Sequence, residues 1–279
     1  MKKLLSAVLA LSLLFVASAA SAAELTKIKI GATPTPHAEV LELVADDLEA
    51  LGYDLEIVVF TEYPLPNPAL AAGELDANYF QHLPYLDAYN VTVPESEQLV
   101  AAFPVHYEPY GIYAGKTKAL ADLKEGGVVT VTNDPSNETR ALLLLQEAGL
   151  IKLPEDTTPQ SSLTVLDIVD NPLKLDIREV EAATLPATLE DADFAVINGN
   201  FALGAGLKPA TDAVFLEPAD SEAGKTYANY VVVRKADAEA DFVKALQQVL
   251  QSQKVYDFIL NNETYQGGVI PTFAVEAKP

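Results

Sequence analysis

The sequence predicts an α/β protein built as two lobes joined by two crossings, and three observations carry that prediction. Strand-like and helix-like patterns alternate along the chain, the alternation comes in two runs, and the segments Tyr110–Tyr113 and Asn229–Val233 bracket the second run as further strands. Alternation of this kind predicts parallel sheets with helices on both faces. If both bracketing strands cross between lobes, residues 23–111 plus 230–279 make lobe 1, residues 112–229 make lobe 2, and the whole is a hinged clamp. A chain of 279 residues suits one large or two modest domains at roughly 100–200 residues each. Ligands of α/β sheets bind beyond the carboxyl ends of the strands, so facing lobes would enclose a small molecule between those ends.

The elements follow in order. Residues 1–22 read as a signal peptide: Lys2-Lys3, an apolar stretch from Leu4 to Val16, and Ala20-Ser21-Ala22 as a small-x-small cleavage site. The apolar stretch is shorter than the roughly 20 residues that span a bilayer. Cleavage would remove two lysines and no acid, taking the formal charge from -22 to -24, and would leave the protein periplasmic or otherwise extracytoplasmic.

Lys27–Ile30 then alternates like a half-buried strand. After Thr33-Pro34-Thr35-Pro36, Val40, Leu43, Val44, Leu48 and Leu51 recur at helical spacing up to Gly52, placed as a C-cap glycine. Leu55–Phe60 is a strand, Pro66–Ala72 a short helix closed by Gly73, and Leu75–Phe80 extended. The second run has the strand Val128–Thr132, the helix Pro135–Ala148 stopped by Gly149, the strand Leu175–Val180, the helix Leu185–Glu190 and the strand Phe194–Asn198. No internal repeat or low-complexity linker interrupts these runs.

Composition removes several function classes. With 40 acidic against 18 basic residues, the surface repels phosphate backbones and anionic lipid, so no nucleic-acid partner is expected. The absence of cysteine excludes disulfides, thiolate metal sites and a Cys nucleophile, and removes the usual point of lipid attachment, so no lipid anchor is expected. His37, His82 and His106 lack metal-ligand spacing, and neither a Gly-x-Ser-x-Gly elbow nor a phosphate-binding loop occurs. Paired carboxylates for hydrolysis could still hide among the 40 acids, and a binding protein without metal or cofactor is expected over an enzyme.

Three regions carry candidate chemistry. In Asp76–Leu86, Phe80 and His82 point to one side of an extended segment and Pro84 opens a helix bearing Tyr85, while Tyr63 lies at another strand-to-helix junction. These rings either wall a pocket or pack an ordinary core. In Val131–Leu142 a strand ends, Asp134 can cap, and Arg140 follows in the second helical turn, where its planar fork would take a carboxylate or pair with Glu138 or another nearby acid. In Phe194–Ala202 an apolar strand ends in Asn198-Gly199-Asn200. Asn198 and the crossover Asn229 can each offer a carbonyl to an ammonium and an amide to a carboxylate, or Asn198 can simply serve a turn.

Together these segments resemble the NlpA family of exported solute-binding proteins, which includes the MetQ-type methionine-binding components of ABC importers. The matching stretches are Asp76–His82 with Pro84-Tyr85-Leu86, His106–Tyr113, Asn133-Asp134-Pro135 with Arg140-Ala141-Leu142, Ala148–Ile151, Glu179-Val180 with Leu185-Pro186, Ala195–Asn200, and Asn229. They run in order through the mature chain. The resemblance implies a two-lobed, type II-like periplasmic-binding-protein fold, two hinge crossovers, and methionine or a related amino acid held in the interlobe cleft. It implies delivery to an ABC permease and its ATPase by a monomer. It further implies a side-chain slot of Tyr63, Phe80, His82 and Tyr85, a carboxylate clamp at Arg140, and amino-group partners at Asn198 and Asn229. Two departures stand out: the family's lipid-bearing cysteine is absent, and its Glu-Pro-Met-Gly reads Glu108-Pro109-Tyr110-Gly111 here. Another amino acid, a short Met-containing peptide, or a surface interaction role remains an alternative.

Overall fold

In a computed structural model that describes residues 24–218 and 225–275, β1 (Thr26–Ala32) pairs in parallel with β2 (Tyr53–Val59) and β3 (Ala77–His82). The signal-peptide segment lies outside the described residues. The helical run after β1 is broken at Val44 (φ −101°, ψ 5°) into α1 (Glu39–Leu43) and α2 (Ala45–Ala50), and Val40, Leu41, Val44 and Leu48 still reach the core at helical spacing. Pro66–Ala71 forms α3 and Leu83–Asn90 forms α4, which has a proline in its first turn.

The first sheet is completed by β4 (Leu99–Tyr107), which runs the same way as β1–β3, and by two strands that run against them. These are β10 (Ala228–Arg234) and the short β11 (Ile270–Pro271), giving the strand order β11-β4-β10-β3-β1-β2, with β10 antiparallel to both β3 and β4. Two C-terminal helices, α9 (Asp241–Leu250) and α10 (Gln253–Asn261), bury Val243, Leu246, Leu250, Val255 and Ile259 in the same core as Ile30, Val105 and Val231.

The second sheet has the order β7-β6-β8-β5-β9, made of β5 (Gly111–Ala114), β6 (Val128–Thr132), β7 (Asp176–Val180), β8 (Phe194–Ile197) and β9 (Ala213–Leu216). Its core packs Val129, Val131, Phe194 and Val196 against Leu142 and Leu145 of α5 (Pro135–Glu147). The helix ends before Gly149, whose φ of 76° is the left-handed conformation expected after a helix C-terminus. The predicted helix over Leu185–Glu190 is shorter, α6 (Leu185–Thr188), and α7 (Gly199–Gly204) and α8 (Pro209–Asp212) follow β8.

The fold is thus α/β and two-lobed, with one correction. Both sheets are mixed rather than parallel, because β5 lies antiparallel to β8 and β9 as β10 does to β3 and β4. A strand entering directly from the other lobe, with no crossover helix, arrives from the opposite end. The two bracketing strands therefore belong wholly to one sheet each, and Asn229, counted with lobe 2 from sequence, pairs with His82 and His106 in the first sheet. The chain passes between sheets through Glu108-Pro109-Tyr110 and returns between β9 and β10. Among the described residues no helix is long and apolar enough to cross a membrane.

Candidate functional site

The carboxyl ends of β3, β6 and β8 point at one another across the junction of the sheets. There lies a cavity of about 350 Å³, open space at its mouth included. Tyr63, Phe80, His82, Tyr85, Arg140, Asn198 and Asn229, the residues singled out from sequence, all line it. Gln81, Glu108, Asn137, Gly199 and Asn200 line it too and were missed. Two of these, Gln81 and Gly199, abut chosen residues in sequence, Asn200 lies two positions after Asn198, and Asn137 precedes Arg140 by one helical turn, so proximity was a usable signal.

One end is aromatic. Ring centroids of Tyr63, Phe80 and Tyr85 are 5.7–6.0 Å apart in tilted or edge-on pairs, and Phe201 of α7 lies 4.9 Å from Tyr63 across the lobes. Such geometry favours an apolar or polarizable guest. The Tyr63 hydroxyl donates to Asn200 Oδ1, a second link between lobes.

His82 is the N-cap of α4. Its Nδ1 accepts from the Tyr85 backbone N–H at 3.2 Å, so the ring hydrogen sits on Nε2 and is donated to Asn137 Oδ1 at 3.0 Å. Burial, with the nearby Arg140 charge, lowers its pKa to about 3, so the ring is neutral. Asn137 Oδ1 also accepts from Asn198 Nδ2 at 3.0 Å, while Asn198 Oδ1 accepts from the Tyr110 hydroxyl at 3.2 Å. Asp134, as anticipated, caps α5, accepting from the Asn137 backbone N–H at 3.0 Å.

Arg140 sits at the polar end and is 4% exposed. Its Nε donates to Glu217 Oε1 at 3.2 Å, Nη2 pairs with Glu217 Oε2, and Nη2 also donates to the Glu108 backbone oxygen at 2.8 Å. Its guanidinium carbon lies 4.1 Å from the Tyr227 ring centroid and 4.8 Å from that of Tyr110. Glu138, the acid suggested by sequence proximity, turns away to accept from the Val165 backbone N–H at 3.0 Å. Nothing local in the sequence marked Glu217, 77 positions further on, as the actual partner.

Below the cavity floor, His37 and His106, widely separated in sequence, come together with ring centroids 4.9 Å apart. His106 Nε2 donates to Glu108 Oε1 at 2.7 Å, and His37 Nε2 lies 3.5 Å from the same oxygen and 3.2 Å from Asn229 Oδ1. Among the described residues these three form the group with metal-ligand spacing, one ligand atom from each falling within 4.8 Å of the others. The Nδ1 atoms meet the hydroxyls of Thr33 (2.7 Å) and Tyr79, so hydrogen bonds within the protein already satisfy the cluster. Burial lowers the pKa of His37 to about 4 and of His106 to about 3, and raises that of Glu108.

Comparison with known proteins places this geometry. The D-methionine-binding lipoprotein MetQ of Escherichia coli is 43% identical over 235 residues, 84% of this chain and 82% of its own. Outer membrane lipoprotein 3 of Mannheimia haemolytica is 40% identical over 245 residues, 88% of this chain and 89% of its own. The structure of a nutrient-binding protein from Burkholderia cenocepacia bound to methionine superposes with a TM-score of 0.82 at 43% identity, covering 88% of this chain and all of that one. The family model described as NlpA lipoprotein matches residues 28–273, and with that match the chain belongs to the NlpA lipoprotein family.

Proposed function

We propose that this chain is the exported substrate-binding protein of an ABC transporter, capturing methionine (L, D or both) between its lobes and delivering it to a permease and ATPase. The observation that carries the reading is one cavity with an aromatic slot of Tyr63, Phe80 and Tyr85 at one end and the buried Arg140 at the other. A thioether gains from contact with ring edges, and a guanidinium fork takes a carboxylate. Relatives named for methionine binding, and one seen with methionine bound, support the same assignment. The proteins it resembles are named for binding, which is the ground for reading it as a non-enzyme.

The lobes, with Gly111 in the second and Asn229 in the first, would close on ligand by rotation about Glu108-Pro109-Tyr110 and the return connection, giving the permease a shape to read. The protein would act as a monomer, and the relatives it matches are named lipoproteins.

Thermal denaturation of residues 23–279, stripped of ligand by unfolding and refolding, tests this against the twenty amino acids, D-methionine and Met-containing dipeptides. Ligand at about 100 times its dissociation constant adds roughly 2.7 kcal/mol, a shift of a few degrees. A selective methionine shift is expected. A shift with another amino acid alone overturns the methionine assignment, and no shift at all overturns the transport reading. A dipeptide has a neighbouring place to extend: a crevice of about 590 Å³, open space included, shares Tyr63 and Tyr85 with the cavity and is also lined by Asp134 and Ser136.

A further inference from the structure

We infer that Glu108, pinned by His37 and His106, is the group that selects an α-ammonium, so that the cavity accepts amino acids and rejects the matching 2-hydroxy acids. The inference rests on the reading of this cavity as an amino-acid site and names what discriminates within it.

Glu108 lines the cavity and is 5% exposed. The neighbours of its carboxylate are all neutral donors or backbone. His106 Nε2 (2.7 Å) and His37 Nε2 (3.5 Å) face Oε1, and the Asn200 backbone N–H donates to the carboxylate from α7. Each Nε2 meets only oxygen acceptors, Glu108 and, for His37, Asn229 Oδ1, so it carries the ring hydrogen. The hydroxyls of Thr33 and Tyr79 accordingly donate to the two Nδ1 atoms. The nearest full positive charge, Arg140, reaches only the Glu108 backbone oxygen and is itself engaged by Glu217.

The result is a buried carboxylate that is oriented and hydrogen-bonded yet has no countercharge of its own. A buried charge in that state is costly, and burial correspondingly raises the Glu108 pKa. A ligand ammonium supplies the missing charge, whereas a hydroxyl or carbonyl leaves it missing. The asparagine carbonyls, Asn198 Oδ1 accepting from Tyr110 and Asn229 Oδ1 from His37, are weaker candidates because they carry no charge to offset an ammonium. Gly199 shows how closely the wall is fitted: a β-carbon there would fall 2.6 Å from Glu108 Cβ and 2.8 Å from its Oε2.

Titration calorimetry tests this with the wild type, Glu108→Gln and Glu108→Asp against whichever amino acid shifts the melt and its 2-hydroxy analogue; for methionine, that analogue is 2-hydroxy-4-(methylthio)butanoic acid. The wild type is expected to prefer the amino acid by at least about 100-fold. Glu108→Gln should lose that preference mainly by weakening the amino acid, with the hydroxy acid changing only a few-fold. Glu108→Asp, which keeps the charge at a shorter reach, should fall between the two. A preference that survives Glu108→Gln, or a wild type that binds both compounds equally, overturns the inference and leaves the transport reading intact. If no amino acid binds the wild type, the transport reading itself fails, and the inference with it.

Discussion

Arg140 and Glu217 form a two-pronged ion pair inside the protein, Nε to Oε1 and Nη2 to Oε2, with side chains only 5% and 7% exposed. Glu217 thus already holds the Nε and Nη2 prongs, and a ligand carboxylate would meet the guanidinium at its remaining corner, Nη1. Tyr107 donates its hydroxyl to the same carboxylate, and the Tyr227 and Tyr110 rings flank the guanidinium, so its plane is fixed before any ligand arrives. Preorganisation of this kind lowers the ordering cost of binding.

Arg140→Ala should remove ligand-induced stabilisation and also lower intrinsic stability by about 3–5 kcal/mol, because Glu217 is left buried without its partner. Arg140→Lys should recover part of the stability and little of the binding, since a point charge cannot replace the fork. Urea melts with and without methionine separate the two effects.

Tyr63→Phe keeps the ring and deletes only the hydroxyl donated across the lobes to Asn200. Loss of one such bond is expected to cost about 1 kcal/mol, or roughly five-fold in affinity. Tyr63→Ala also removes the ring contacts with Phe80, Tyr85 and Phe201, and should weaken binding much further. Calorimetry on both variants gives the comparison, and equal losses would show that the ring contributes nothing beyond its hydroxyl.

Acid should destabilise the fold through its histidines. His37 stays neutral down to about 4, and His82 and His106 down to about 3, because burial opposes their charge, whereas the unfolded chain protonates them near 6.5. Between those values the unfolded state binds more protons, so stability is lost as pH falls from 6.5 towards 3. Glu108 and Asp134, raised by burial, act in the opposite sense, so the diagnostic quantity is a change in slope. Urea midpoints from pH 7 to pH 4 should fall less steeply in His82→Asn than in the wild type.

Glu138 predicts a slope on the alkaline side. Burial, then a hydrogen bond with Glu179, raises its pKa to about 8, so at neutral pH it holds a proton that the unfolded chain has released above 4.5. Stability should therefore decline as pH rises from 4.5 through 8. Glu138→Gln mimics the protonated form, and it should melt higher than the wild type at pH 9 and nearly the same at pH 5. A Tm difference that does not depend on pH would refute the raised Glu138 pKa.

What the sequence made legible was local. Asp134, Pro135 and Arg140 lie within two helical turns, and Phe80, His82 and Tyr85 within six residues, so strand-end and helix-start geometry was enough to group each set on its own lobe. Partnerships over long separations left no trace: His37 with Asn229 is 192 positions apart, and Tyr107 with Glu217 is 110. β4 was hidden because Pro104 interrupts it, and its paired edge pattern only makes sense once β10 and β11 flank it. The mixed sheets escaped notice for a related reason, since periodicity reports which face is buried but not which way a strand runs.

The position of β10 also orders the birth of the molecule. β5 to β9 are contiguous from Gly111 to Leu216, but the first sheet lacks an inner strand, between β4 and β3, until Ala228–Arg234 exists. A nascent chain shorter than that can complete only its second lobe. A chain arrested at residue 218 should accordingly protect the backbone amides of β5–β9 from hydrogen exchange and leave those of β1–β4 open.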